Sequence, residues 1–348
     1  MAISVESFGT TADEKEVFLY TITNKTGMKI SVTDFGAALV KVEVPDKQGV
    51  LRDVVLGYDD VTGYENGTVF FGATVGRNAN RIGKASFEIN GKVYELAKND
   101  NGNNLHSGLD FYNQRIWEVR AKKMDSVIFN LHSKDGDQGF PGALDMEVKY
   151  TLTEKNEVKI EYYSVPNEDT IINMTNHSYF NLNGHDSGSI LDHDVKIDAD
   201  YFTRADERAI PTGELVPVQG TPMDFTQTKK IGRDIHEQYE ALIFGNGYDH
   251  NWALNNNGKF AKVAELSSEE SGIEMSVFTD LPGVQMYTAN FVENEKGKNG
   301  AVYNDRPAVC FETQYFPDAV HKSNFKSPIC EAGENYRTCT MYKFGILV

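Results

Sequence analysis

Cysteine is scarce. The chain has three in 348 residues, Cys310, Cys330 and Cys339, all near the C-terminus. An odd number, at spacings that match no zinc pattern, excludes a disulfide framework and predicts free thiols in a reducing compartment. Long apolar runs are missing too: nothing approaches the roughly 20 residues that a membrane helix needs. Met1–Gly9 has no basic segment followed by an apolar one, so no signal peptide is expected. The triplets at Asn24, Asn66, Asn173 and Asn176 that match a glycosylation pattern are then chance matches, and a cytoplasmic location is expected. Positive charge is in deficit: Lys and Arg total 34 against 51 Asp and Glu, a net charge of −17. Such a surface repels nucleic-acid phosphate and anionic membranes, which excludes both as partners, and it weighs against a highly anionic substrate.

Helical periodicity is nearly absent. Ile231, Ile235, Tyr239 and Leu242 fall near one helical face, weakened by Gly232, so one or two short helices are expected within 227–242. There is no internal repeat, no low-complexity segment and no Pro/Gly/Ser linker. One domain over 1–348 is the expectation.

What is present is a period of two. Leu144, Met146, Val148, Tyr150 and Leu152 alternate with Asp145, Glu147, Lys149 and Thr151. After a polar turn the pattern resumes at Val158, Ile160 and Tyr162. This predicts a half-buried antiparallel hairpin. A second hairpin is predicted over 86–96, where Asn90-Gly91 separates Phe87 and Ile89 from Val93, Tyr94 and Leu96; both central residues of such a turn need positive φ. Further strands are predicted at 17–22, 28–44, 127–131, 194–198, 273–278 and 284–288. The fold class is all-β, a large antiparallel β-sandwich with a concave sheet and Gly/Asn-rich loops at its rim.

Several stretches carry chemistry. Residues 171–184 interleave Asn173, Thr175, Asn176, His177, Ser178, Asn181 and Asn183 with Ile171, Ile172, Met174, Phe180 and Leu182. Asn is a poor strand former because its amide competes for backbone hydrogen bonds. His177 is either a packing histidine or a proton carrier, and what stands opposite decides. Gly76–Gly83 packs Arg77, Asn78, Asn80 and Arg81 into a compact donor cluster, or a solvated turn, without the Gly-Lys-Ser/Thr ending of a phosphate loop. Asn99–Gly108 lacks the Glu that closes a calcium loop and reads as a turn ending in His106. Asp249, after Gly247-Tyr248, can accept from hydroxyls or close a turn. His185, Asp192, His193 and Asp194 have no closed-site metal spacing and read as a solvated loop. Glu312 lies in the apolar run Val309–Phe316. Glu is seldom buried without a partner, and burial raises its pKa, which suits a base at neutral pH if cations keep it ionised.

Together these motifs resemble the aldose 1-epimerase, or galactose mutarotase, family. The resemblance runs in order through Gly76–Ile82, Asn104–Gly108, Thr175–Leu182, Tyr248–Asn251, Phe311–Gln314, Pro317–His321 and Ala332–Arg337. It implies the family's mutarotase-like β-sandwich, with a sugar in an open cleft and no metal or cofactor. It places Glu312 on the general base and His177 on the general acid. It places Asn80, Arg81, His106, Asp249 and, on a shorter match, Gln285 on sugar-binding positions. Ser107 departs from the pattern, which often has Gly there. The implied reaction interconverts the α and β anomers of free aldohexoses such as glucose and galactose; the implied partner is the small sugar, and the protein a monomer or homodimer. A charged His177 would then need a nearby carboxylate, Glu312 or Asp249, because its ordinary pKa is about 6.5; the pH profile would be limited by His177 on the alkaline side. The alternatives are a non-catalytic sugar-binding module on the same fold, a hexose-6-phosphate mutarotase using Arg77 and Arg81, and a glycoside hydrolase, which commonly uses two carboxylates.

Overall fold

The period-two pattern becomes antiparallel pairing. In the computed structural model, which describes residues 1–347, a nine-stranded sheet contains the predicted hairpin as Leu144–Leu152 against Glu157–Ser164. The other predicted hairpin is Ser86–Ile89 against Lys92–Glu95. Its turn residues Asn90 and Gly91 sit at φ 53° and 78°, the left-handed region the turn requires. A five-stranded sheet covers Ala2–Asp53. The expected continuous strand over 28–44 is two strands, Lys29–Thr33 and Leu39–Pro45. The Thr33 N–H donates to the Ala38 carbonyl and closes a turn between them.

Helix is sparse, as the pattern implies. Within 227–242 the chain forms a 3₁₀ turn at Ile231–Arg233, and an α-helix starts only at Glu240, running to Gly245. The α-helix Val61–Asn66 was not anticipated, because six residues are too few to show a period. Its signal was the cap: Asp60 accepts from the Thr62 and Gly63 N–H groups.

A six-stranded sheet decides the site. Its order is Tyr179–Phe180, Val309–Gln314, Gly283–Tyr287, Asp249–Ala253, Tyr201–Ala205 and Pro211–Pro217. Residues directly opposite share a face. One face carries Phe180, Val309, Phe311, Val284, Met286 and Trp252, all in the main hydrophobic core. Each fully buried side chain of this size contributes roughly 1.5–3 kcal/mol. This face packs on the nine-stranded sheet: the Tyr342 hydroxyl donates to the Phe311 carbonyl at 3.1 Å, and the Phe180 and Tyr342 rings lie 4.8 Å apart. The opposite face therefore carries Tyr179, Cys310, Glu312, Gln314, Gln285, Tyr287, Asp249 and Asn251. Glu312 does not lie on an edge strand; it sits on the second strand of the sheet and is buried.

Candidate active site

Strand register delivers one wall of the cleft. Glu312, Gln285 and Asn251 form a row across three strands. Gln285 Nε2 donates to Asp249 Oδ1 at 2.8 Å. Behind it, Gln314 donates to both Gln285 Oε1 and Asn251 Oδ1 at 3.4 Å. A Cβ on Gly283 would stand 2.5 Å from Asn251 Oδ1, so this amide layer needs glycine there.

Loops deliver the other wall. Ala73–Val75 pairs with Thr175–His177, which places His177 opposite Ala73. The chain then turns, and Arg81–Ile82 pairs with Asn104–Leu105. That register brings Asn80 to His106: the Asn80 N–H donates to His106 Nδ1, and the His106 N–H donates to the Asn80 carbonyl, both at 3.0 Å. Asn80, His106 and Ser107 have φ of 60°, 52° and 60°. A left-handed residue other than Gly costs about 1–2 kcal/mol. Ser107 offsets it, since its Oγ accepts from the Asn78 N–H at 2.8 Å and donates to the Asn78 carbonyl at 3.0 Å. The departure at Ser107 thus falls where backbone geometry favours glycine and is held by a side-chain bond instead.

Where the walls meet, His177 Nε2 lies 3.5 Å from Glu312 Oε1, both side chains buried. Its other nitrogen, Nδ1, lies 3.5 Å from Cys310 Sγ. The rings of Tyr179 and Phe70 stack on the imidazole at 4.9 Å and 5.8 Å, and His106 meets it nearly edge-on at 5.6 Å.

Burial dominates the electrostatics. It pushes His177 down to about 4. It holds His106 well below its ordinary value, helped by His177 and Arg81. It raises Glu312 well above the carboxylate range; Asp249 adds to the rise and Arg81 opposes it. This corrects the expectation that a carboxylate keeps His177 charged. Desolvation favours the neutral form of each group.

His106, His177 and Glu312 bring one potential metal-ligand atom each to within 4.8 Å of one another. The donor set does not fit a metal. His106 Nδ1 accepts a backbone N–H, so its proton is on Nε2, whereas a metal-bound histidine keeps its proton on the nitrogen away from the metal. His106 is instead a neutral donor aimed into the cluster.

Asn80, Arg81, His106, His177, Asp249 and Glu312 all line one cavity of about 260 Å³. It shares Arg81, Asp249 and Phe291 with an adjoining groove of about 580 Å³. The larger groove does not reach His177 or Glu312; the smaller cavity holds both.

The family model for aldose 1-epimerases matches residues 19–343. Galactose mutarotase of Bos taurus is 40% identical over 320 residues, 92% of each chain. Aldose 1-epimerase of Haemophilus influenzae is 36% identical over 94% of this chain and 95% of its own. The crystal structure of an aldose epimerase homologue from C. elegans superimposes with a TM-score of 0.87 at 30% identity, covering 95% of this chain and 99% of that one. The chain belongs to the aldose 1-epimerase family. Its fold is that of the family, a mutarotase-like β-sandwich. No helix among the described residues is long and apolar enough to cross a membrane.

Within this aldose 1-epimerase fold, two sequence expectations change. Arg77 leaves the donor cluster. It is fully buried, and its guanidinium donates to the Pro141, Gly142 and Lys134 carbonyls and to the Ser133 and Thr170 hydroxyls. Arg81 alone reaches the cavity, steadied by Asp100 at 2.7 Å. The phosphate alternative thereby loses one of its two arginines. Gln285 does not line the cavity; it stands behind Asp249. The residues around His185 and His193 do not converge on one site, and both histidines are buried rather than solvated: His193 Nε2 accepts the Leu182 N–H, His185 contacts the Tyr303 hydroxyl, and Asp192 pairs with Lys230. The asparagines of 171–184 brace backbone. Asn173 accepts the Tyr315 N–H, Asn176 donates to the Gly72 carbonyl, and Asn181 donates to the Gly188 and Pro307 carbonyls. Sequence reasoning missed Phe70, Tyr179, Tyr287 and Cys310 around the pair; the i, i+2 spacing of Cys310, Glu312 and Gln314 was the available signal.

Proposed function

We propose that this chain interconverts the α and β anomers of free aldohexoses such as glucose and galactose, using two proton-transfer side chains and no metal or organic cofactor. One observation carries the reading: Glu312 and His177, buried and 3.5 Å apart, share a cavity with Asn80, Arg81, His106 and Asp249.

Ring opening breaks the bond between the anomeric carbon and the ring oxygen. The anomeric hydroxyl loses a proton as the ring oxygen gains one. Glu312 as carboxylate takes the first, and His177 as imidazolium gives the second. The products on the protein are a neutral carboxyl and a neutral imidazole. Both states hold one proton on the pair, so the reaction only moves it through the sugar. The aldehyde end turns about the adjacent carbon–carbon bond, and the reverse transfers close the ring on its other face. Burial favours the neutral state; Arg81 and sugar hydroxyls donating to Glu312 favour the ionised one. General acid–base help is worth about 10² to 10⁴. His106 Nε2–H and Arg81 stabilise charge developing on oxygen. Asp249, oriented by Gln285, accepts from a hydroxyl, and Asn80 contributes a further polar contact.

Polarimetry on freshly dissolved α-D-glucose and α-D-galactose tests this. The expected result is mutarotation well above the buffer rate. Binding without acceleration would instead mean a sugar-binding module, and release of an aryl aglycone would mean a hydrolase. The same reading places the protein in the cytoplasm, where its three unpaired thiols persist, as a single-domain monomer or homodimer.

A further inference from the structure

Cys310 is unused by the chemistry above, yet it touches its centre. The strand Val309–Gln314 presents Cys310 and Glu312 on one face, two residues apart. They flank one imidazole, with Glu312 Oε1 3.5 Å from Nε2 and Cys310 Sγ 3.5 Å from Nδ1 of His177. The Tyr179 and Phe70 rings stacked on that imidazole limit its rotation. Cys310 is fully buried, and its position is set by pairing with Tyr179 on one side and Tyr287 on the other.

We propose that Cys310 is a positioning residue that fixes the tautomer of His177, by accepting from Nδ1–H at every stage so that Nε2 is the only nitrogen that exchanges a proton. The inference rests on the acid–base reading of the pair. In the ionised state both ring nitrogens carry protons; Nε2–H serves the sugar, and Nδ1–H meets the sulfur. In the neutral state the Glu312 carboxyl donates to Nε2, which leaves the single ring proton on Nδ1, again against the sulfur. The partner of Nδ1 need not change during turnover.

The choice of sulfur has a consequence. A carboxylate at this position would hold the imidazolium strongly and make it a reluctant acid. A thiol is a weak, neutral acceptor. It orients the ring while leaving His177 acidic enough to protonate a ring ether oxygen, a poor base. Burial, with Glu312 and Asp249 nearby, pushes the thiol well above its ordinary range, so it stays uncharged. The other titratable or charged groups around His177 are Glu312 on the same strand as Cys310, His106 and Arg81 from the loop wall, and Tyr179, Tyr287 and Asp249 from the sheet. None of these bonds to Nδ1, which Cys310 Sγ faces; the backbone of His177 itself also favours the protonated ring.

Nitrogen-15 NMR of the labelled wild-type protein tests the tautomer directly. The expected result at neutral pH is a protonated-type Nδ1 and a free-type Nε2 for His177, assigned by loss of the signals in His177→Asn. Nε2–H with a bare Nδ1 would overturn the proposal, even if the protein is an active mutarotase. An inactive protein with the expected tautomer would overturn the reaction instead. Kinetics give the second arm. Cys310→Ser supplies a better acceptor and should move the acid limb of the kcat profile up by about one pH unit. Cys310→Ala should lower kcat roughly tenfold with KM little changed. Superimposable pH profiles for wild type, Cys310→Ser and Cys310→Ala would also overturn it.

Discussion

The two walls of the cleft are built by different means. On the sheet wall, Glu312, Gln285 and Asn251 stand in a row because three strands pair in register. A one-residue slip would turn the whole row into the core, so hydrophobic burial on the far face enforces it. On the loop wall, Asn80, His106 and Ser107 hold left-handed backbone. Each has a side-chain bond to nearby backbone: Asn80 Oδ1 accepts the Arg81 N–H, His106 Nδ1 accepts the Asn80 N–H, and Ser107 Oγ donates to the Asn78 carbonyl. The sheet wall can lose a functional group and keep its shape. On the loop wall one side chain does both: His106 holds the Asn80 N–H with Nδ1 and lines the cavity.

The largest test of that contrast is at the meeting point. Glu312→Gln and His177→Asn should each lower kcat by about 10² to 10⁴, with thermal melts close to wild type for Glu312→Gln because its strand is held from the core side. The double variant should be little worse than either single one, since the two groups act as a unit. Near-normal turnover in either single variant would sink the assignment.

The pH profile follows from the pair. Below about 4, His177 takes a proton while Glu312 already holds one, and no base remains. Activity should therefore fall as pH drops through that value. On the alkaline side the last proton leaves from Glu312, which burial has raised. Activity should fall again as pH rises through that raised value, so the alkaline limb reports the pair's last proton rather than an ordinary histidine. A kcat profile limited by one group near pH 6.5 would contradict this.

Next come His106 and Asp249, one from each wall. His106→Asn removes a neutral donor and the acceptor for the Asn80 N–H; kcat should fall about 10²-fold and the melting temperature should drop. Asp249→Asn removes a carboxylate acceptor from a strand; KM should rise roughly tenfold or more with the melting temperature unchanged. Equal effects on stability would erase the distinction between the walls. The smallest effect is expected at Ser107. Ser107→Ala keeps the unfavourable φ but loses both bonds to Asn78, costing about 1–3 kcal/mol. Ser107→Gly should recover much of it, because glycine adopts this φ freely.

Much of the frame was legible in the residues. Asn90-Gly91 announced its turn, and the alternation over 144–162 announced its hairpin, because both signals are local. Glu312 stood out as a carboxylate inside an apolar run. Arg77 and Arg81 could not be told apart, being chemically alike and four positions from each other. Which one turns inward depends on carbonyls at 134, 141 and 142. The resemblance groups Gln285 with the sugar-binding residues although it bonds to Asp249 and stands outside the cavity lining, since nothing local distinguishes a front-row amide from one behind it.

His177 marks the division. Its sequence context, a histidine among amides and apolar residues, determined that it would sit in a buried segment rich in backbone-bracing side chains. Strand alternation likewise determined that Cys310, Glu312 and Gln314 would share a face, because side-chain direction along a strand is a property of the chain itself. Only the tertiary structure decided the charge. Desolvation comes from Phe70, Tyr179 and the strands beneath, and the partner of Nδ1 lies 133 residues away in sequence. Proton affinity depends on what surrounds a group in space, and that is set by packing between distant segments rather than by neighbours along the chain.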